Sequence, residues 1–192
     1  RRLGIGLILA SIPIVIIGLT LGQTVKALLF NDIAIAIGLI VGGLIIIWVE
    51  KNPPVVRAQE VDDLTIKDAV WIGLIQVLSL IPGTSRSGAT IIGAMMLGVS
   101  RKAATEFSFF LGIPVIVGAG LLDLYQSYHV FQGATDWAVI AVGLLVSFIS
   151  ALILIRVLVA YVAKRDFMIF AWYRIASGLV ILLFAFTGWK LW

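Results

Sequence analysis

Long apolar runs are the feature that most constrains how this chain folds. Several of them approach or exceed the roughly 20 residues that a helix needs to cross a bilayer. A soluble domain could not keep so much apolar surface from water, since 61% of the 192 residues are hydrophobic. We therefore predict an all-α integral membrane protein, because a helix satisfies its own backbone hydrogen bonds inside lipid. The predicted spans cover residues 3–21, 33–49, 104–125, 137–162 and 167–190.

The segment from Asp68 to Val99 departs from this pattern. Its two apolar pieces, residues 69–81 and 89–99, are each too short to span a membrane, and the loop 82–88 with its Pro and Gly residues separates them. Short apolar halves of this kind are typical of re-entrant segments, and in membrane proteins they often mark a binding site. We predict a re-entrant helix–loop–helix hairpin over residues 68–99 that enters the membrane and returns to the same side.

The cations support that topology. With a returning hairpin, one group of loops holds Arg1, Arg2, Lys51, Arg57, Lys67, Arg101, Lys102, Lys164 and Arg165, and the other holds Lys26 and Lys190. The positive-inside rule makes the first group cytoplasmic and places the C-terminus outside. The net charge of +4 is therefore a sign of membrane orientation, and we predict no nucleic-acid partner. The absence of cysteine excludes a disulfide framework.

The loop and the helix after it carry groups that suit a phosphate. Glycines give backbone freedom and close approach. Hydroxyls and the N-terminus of the second helix offer hydrogen-bond donors, and an arginine adds a planar charged fork. These residues are Gly83, Thr84, Ser85, Arg86, Ser87, Gly88 and Thr90. An ordinary polar turn is the alternative, but an unpaired arginine between two half-length apolar helices is costly, so a phosphate or pyrophosphate site is favoured.

The polar and charged residues allow two other interpretations. Gly83 and Gly88 have the spacing of a nucleotide-binding P-loop, but Ala89 stands where that motif requires lysine, so a nucleotide triphosphatase is excluded. We interpret Arg174, like the other charged residues near helix ends, as a snorkelling or interhelical pairing residue. Glu106 and Arg156 belong to the same group.

Residues 82–90 read Pro-Gly-Thr-Ser-Arg-Ser-Gly-Ala-Thr, and residues 106–109 read Glu-Phe-Ser-Phe. Both stretches resemble the undecaprenyl-pyrophosphate phosphatase family linked to bacitracin resistance. The resemblance implies that Ser85, Arg86 and Thr90 are catalytic or phosphate-contacting, with the neighbouring loop residues in substrate binding. It also implies that Gln76 matches a position that is acidic in the family's other hairpin. Gln76 is predicted to face the cavity and bind substrate, and a polar residue that satisfies the backbone of the hairpin is an equal alternative.

The resemblance extends to the fold, which in the family is an inverted repeat with one re-entrant hairpin in each half. The family's other signature, an acidic pair followed by Ser-Ser-Thr-Gly-His, does not occur in this chain. We expect this chain to be the C-terminal part of a longer protein whose upstream half supplies that signature. By resemblance, a divalent cation, Mg²⁺ or Ca²⁺, and a general base would come from that half, and no metal ligands are predicted here.

The function that this resemblance implies is a membrane phosphatase that converts undecaprenyl (C55) pyrophosphate to the monophosphate. Such an enzyme recycles the lipid carrier of peptidoglycan synthesis in the bacterial plasma membrane, with its site facing the exterior. Its partners would be the polyprenyl pyrophosphate substrate and membrane lipid. The alternative is a transporter or flippase for an anionic lipid or a small anion, because re-entrant half-helices suit that role equally well. The nucleophile and the oligomeric state are left open.

Overall fold

Helices account for nearly all of the regular structure. The structure is a computed structural model that describes residues 2–130 and 133–187, and in those ranges it contains seven α-helices. They are α1 Arg2–Leu29, α2 Asp32–Lys51, α3 Ile66–Gln76, α4 Arg86–Met96, α5 Arg101–Ser127, α6 Ala134–Val162 and α7 Met168–Thr187. The predicted all-α fold class is confirmed.

Five of these helices are long and apolar enough to cross a membrane: α1, α2, α5, α7 and the part of α6 from Trp137 to Val162. Much of their surface is apolar and exposed, and α6 buries none of its most hydrophobic stretch inside the protein. That surface requires lipid around it, so the chain is a multi-pass membrane protein. The helices extend past several of the predicted limits; α1, for example, continues to Leu29. Residues 188–190 of the last predicted span lie outside the described residues.

Between α2 and α5 lie the two short helices of the predicted hairpin, each 11 residues long. Helix α3 begins with a capping box in which Thr65 and Asp68 satisfy each other's backbone N–H groups. A 3₁₀ turn, Val77–Leu80, continues the chain toward the loop. The helices pack directly on each other at Gly93, because an added Cβ there would lie 2.8 Å from the Ile75 side chain. Entry of this pair into the membrane, and its place in an inverted repeat, stay predictions.

The open end of the hairpin is tied together by the polar loop that precedes it. Backbone N–H groups of Arg57 and Ala58 donate to the carbonyl of Gly98, and Ser100 N–H donates to Ala58. The Arg57 side chain adds a bidentate ion pair with Asp68 and a hydrogen bond of 2.7 Å to the carbonyl of Leu97. One arginine therefore joins the start of α3 to the end of α4.

Two close helix pairs carry the rest of the fold. Helix α1 lies so near α3 that a Cβ on Gly73 would meet the backbone of Ala10. Helix α2 lies equally near α7 at Gly43, where a Cβ would lie 2.8 Å from the carbonyl of Ala171. Small residues allow this backbone approach in membrane proteins. The core between the pairs is filled by buried apolar side chains, the largest being Phe107, Ile72 and Leu111.

Candidate phosphate-binding site

The loop between α3 and α4 presents backbone donors at its tip. Ser85 caps α4, and its Oγ accepts a hydrogen bond of 3.1 Å from Gly88 N–H and lies 3.3 Å from the Ser87 hydroxyl. The N–H groups of Arg86 and Ser87 make no hydrogen bond within the described residues. They stand at the positive end of the helix dipole, so this helix start is suited to an anion.

Gly83 lets the loop lie against α2. Its φ of +82° is in the left-handed region, which glycine adopts without strain. A Cβ at this position would also collide with the carbonyl of Ile35. Opposite, a Cβ on Gly38 would lie 2.6 Å from the carbonyl of Pro82. The two glycines therefore hold the loop directly on the surface of α2.

Arg86 extends from the loop toward α5. Its Nη1 donates a hydrogen bond of 3.1 Å to the carbonyl of Ser108, and its guanidinium lies over Gly112, where an added Cβ would be 2.6 Å from both Nη atoms. The side chain is half-buried. Its Nε and Nη2 make no hydrogen bond within the described part of the chain, so Arg86 keeps donors for a phosphate.

Thr90 lies one turn below the loop and is fully buried. Its hydroxyl lies 2.6 Å from that of Ser108 on α5 and contacts the carbonyls of Arg86 and Ser87 at 3.0 and 3.2 Å. The structure therefore places Thr90 behind the loop, where it ties α4 to α5 and fixes the helix that carries Arg86. Its predicted catalytic role stays a prediction.

Gln76 is also separated from the loop. It is fully buried in the last turn of α3, and neither its Oε1 nor its Nε2 has a hydrogen-bond partner among the described residues. It does not line the cavity that adjoins the loop. Its predicted contact with substrate stays a prediction.

Arg174 on α7 is a candidate site residue that was not predicted from the sequence. It is only 9% exposed, and its Nη2 donates to the carbonyls of Gly83 at 3.1 Å and Gly38 at 3.2 Å. Its Nη1 lies 3.4 Å from where a Cβ on Gly88 would stand. The side chain does not snorkel; it bridges α2 and the loop. The sequence signal that could have indicated this contact is the pair of glycines four residues apart on α2, Gly38 and Gly42, which leave room for the Arg174 side chain.

A cavity of about 320 Å³ opens beside the loop, between α2, α4, α6 and α7. One end is polar and is formed by Ser85, Ser87, Gly88 and Arg174. The remaining wall is almost entirely hydrocarbon and includes Leu39, Ile46, Ile91, Leu158, Phe167 and Phe170. An anionic group with an apolar chain attached matches this division.

Comparison with known proteins supports the same interpretation. The family model described as "Bacitracin resistance protein BacA" matches residues 1–180. The chain belongs to this family.

Among curated relatives of this BacA-family chain, "Undecaprenyl-diphosphatase 1" of Acinetobacter baylyi is 77% identical over 192 residues, which is all of this chain and 70% of the relative. "Undecaprenyl-diphosphatase" of Psychrobacter cryohalolentis is 57% identical over 185 residues, covering 96% of this chain and 66% of the relative. "Undecaprenyl-diphosphatase 1" of Chromobacterium violaceum is 52% identical over 182 residues, covering 95% and 67%. The chain thus spans about two thirds of the length of these relatives.

The site of this BacA-family chain is cationic and hydroxyl-rich. The described residues contain no group of three or more His, Cys, Asp or Glu side chains that could hold a metal ion. The hydroxyls and guanidinium groups around the loop do not provide the carboxylates that Mg²⁺ or Ca²⁺ prefers. A divalent cation therefore does not fit these residues by themselves. The cation expected with ligands from the upstream half stays a prediction. What the arrangement does provide is charge neutralisation for phosphate oxygens.

Proposed function

We propose that this protein hydrolyses undecaprenyl pyrophosphate to undecaprenyl monophosphate and inorganic phosphate, and thereby recycles the carrier lipid of bacterial cell-wall synthesis. The observation that carries the proposal is the cavity beside the loop, in which an anion-binding end formed by Arg174 and the start of α4 continues into a hydrocarbon wall. A lipid pyrophosphate has the same two parts. The curated relatives are named for this diphosphatase activity.

The reaction transfers the terminal phosphoryl group to water. The water oxygen bonds to the terminal phosphorus and the anhydride P–O bond breaks. The bridging oxygen remains on the prenyl monophosphate, and the proton from water goes to solvent. Negative charge develops on the bridging and terminal oxygens. Arg86, Arg174 and the N–H groups at the start of α4 stabilise that charge from fixed positions, which is how preorganised donors lower a barrier.

The groups that activate the attacking water are assigned to no residue of this chain. Ser85 has its oxygen engaged as the cap of α4, and no carboxylate or imidazole hydrogen-bonds to it in the described residues. A serine nucleophile needs an adjacent general base. In this proposal Ser85 positions α4 and contacts phosphate, the nucleophile stays open, and no step is derived through a metal.

The proposal is tested by phosphate release from undecaprenyl pyrophosphate with purified protein in detergent. Arg86→Lys keeps the charge but loses the bidentate fork, so turnover should fall by about 100-fold or more while the protein stays folded. Arg156→Lys is the matched control, because Arg156 is exposed on α6 and lines neither the loop nor the cavity. Near-normal turnover by Arg86→Lys removes Arg86 from the mechanism. Movement of the lipid across vesicles without phosphate release supports the transporter alternative.

The proposed location is the bacterial plasma membrane, with the site open to the exterior. A hairpin that enters from the cytoplasmic side carries its tip toward the outer half of the membrane, where a carrier lipid that has delivered its cargo presents its pyrophosphate. A cysteine introduced by Thr84→Cys should be blocked by an impermeant thiol reagent from outside and protected by substrate. Reactivity from the cytoplasmic side alone contradicts the outward orientation.

A further inference from the structure

The two arginines at the loop lie on opposite sides of the start of α4. Arg86 projects toward α5, where it contacts Ser108 and Gly112. Arg174 approaches from α7 on the other side, next to Gly88. Residues two apart in a helix point to nearly opposite faces, so the sides occupied by Arg86 and Gly88 cannot coincide.

Both guanidinium groups are held in place and still have donors to offer. The Nη2 of Arg174 is fixed by two backbone carbonyls, which leaves Nη1 at the polar end of the cavity, and its buried Nε has no partner among the described residues. Arg86 is fixed through Nη1 by Ser108 and keeps Nε and Nη2. A buried, partly unpaired arginine is costly unless an anion completes its hydrogen bonds.

One of the two sides adjoins a cavity with a hydrocarbon wall. The cavity lined by Leu158, Phe167 and Phe170 includes Arg174, Ser87 and Gly88 but not Arg86. In a prenyl pyrophosphate, the phosphate bonded to the prenyl chain is the one next to hydrocarbon, and the terminal phosphate lies beyond it. A prenyl chain lying along that wall would put the prenyl-linked phosphate next to Arg174.

We propose that the two arginines divide the pyrophosphate between them: Arg174, with Ser87 and Gly88, binds the prenyl-linked phosphate, and Arg86 binds the terminal phosphate that is released. This inference rests on the proposed function. It gives each arginine a different product to hold after the anhydride bond breaks, with prenyl monophosphate on the Arg174 side and inorganic phosphate on the Arg86 side.

The test measures binding of the two product types separately. Farnesyl monophosphate and inorganic phosphate are titrated calorimetrically into purified protein in detergent. Arg174→Gln should weaken farnesyl monophosphate binding by about tenfold or more and change inorganic phosphate binding by less than about threefold. Arg86→Gln should show the reverse pattern. Arg156→Gln is the matched control and should change neither.

A second substitution, on the lipid side of the cavity, tests the same division without changing either arginine. Phe170→Ala leaves both arginines in place and should weaken farnesyl monophosphate binding about tenfold without affecting inorganic phosphate. Equal losses of both ligands in both arginine variants overturn the division, as does failure of the unmodified protein to bind farnesyl monophosphate. Because phosphate release is measured independently, a hydrolase whose arginines behave alike keeps the proposed function and loses only this inference. If the two arginines bind different products but the protein releases no phosphate, the proposed hydrolysis is contradicted and the division of binding is kept.

Discussion

Two buried polar side chains, Arg174 and Gln76, differ in whether neighbouring residues satisfy their hydrogen bonds. Arg174 and Gln76 are both at least nine-tenths buried. Arg174 donates to two backbone carbonyls and faces a cavity, whereas both amide atoms of Gln76 are without partners among the described residues. A buried polar group without a hydrogen bond destabilises a fold by about 1–3 kcal/mol. Gln76 therefore lowers the stability of the fold unless a substrate group completes the hydrogen bonds of its amide.

Replacing Gln76 by Met should raise the free energy of unfolding by about 1–2 kcal/mol, because the side chain keeps its length and loses the unpaired amide. Unfolding in detergent measures this change, with Gln59→Met as the control at an exposed position. A lower stability of Gln76→Met shows that the amide does have partners. Reduced turnover together with the higher stability supports the predicted role of Gln76 in substrate binding.

Asp68 makes the stability of the hairpin depend on pH. Burial by itself raises the pKa of its carboxyl, but hydrogen bonds from Arg57 and Thr65 outweigh burial and hold the pKa below the ordinary 3.8. A carboxyl whose pKa is lower in the folded state stabilises the fold above its unfolded pKa, and this contribution disappears as the pH falls through the folded value. The protein should therefore lose stability below about pH 4.

In Asp68→Asn, the fall in the free energy of unfolding between pH 7 and acid pH should be smaller by about 1 kcal/mol. The value is modest because the Arg57 partner is 47% exposed. Unfolding in detergent at pH 7 and at progressively lower pH measures it. Asp62→Asn is the control, since Asp62 is exposed in the same loop and makes no ion pair among the described residues. An identical pH dependence in Asp68→Asn and the unmodified protein contradicts the role assigned to the ion pair.

At the scale of elements, the pairing of α2 with α7 positions the second arginine. The guanidinium of Arg174 occupies the space above Gly42, closer to an added Cβ than real Cβ contacts allow. Helix α2 therefore needs glycine there if the Arg174 side chain is to reach the loop.

Gly42→Ala should displace Arg174 from the carbonyls of Gly38 and Gly83 and lower the rate of phosphate release by about tenfold or more. Turnover and thermal unfolding are measured together, so that loss of positioning is distinguished from loss of folding. Gly118→Ala on α5 is the matched control, because nothing lies within 4 Å of a Cβ at that position. Unchanged turnover in Gly42→Ala shows that the Arg174 position tolerates displacement.

If the hairpin returns to its own side as predicted, it fixes the side of the membrane on which each loop lies. The loop at 164–165 should be cytoplasmic. The predicted loop 126–136, which in the structure includes the end of α5 and the start of α6, should be external; its residues 131–132 lie outside the described ranges. The chain has no cysteine, so Lys164→Cys and Gln126→Cys each introduce a single thiol at an exposed position. An impermeant thiol reagent should label intact cells only through position 126. Labelling only through position 164 reverses the topology.

The fold class and the position of the loop between α3 and α4 were predicted correctly because their signals are local. Apolar runs of spanning length are properties of consecutive residues, and so is the interruption at residues 82–88. The start of α4 at Arg86 with Ser85 as its cap is equally local, since the cap and the N–H that it accepts are three residues apart.

Tertiary structure alone decided which groups meet at that loop. Arg174 lies 91 residues beyond Gly83, whose carbonyl it contacts, and no periodicity in α7 distinguishes it from an arginine at a membrane surface. Packing against α5 likewise buries Thr90, which belongs to the same motif as Arg86. Hydropathy and helix capping act over one or a few turns, so the helices and the loop follow from neighbouring residues. Contacts between helices distant in the chain depend on side-chain volumes at several interfaces together, and the tertiary structure placed the two arginines on opposite sides of α4.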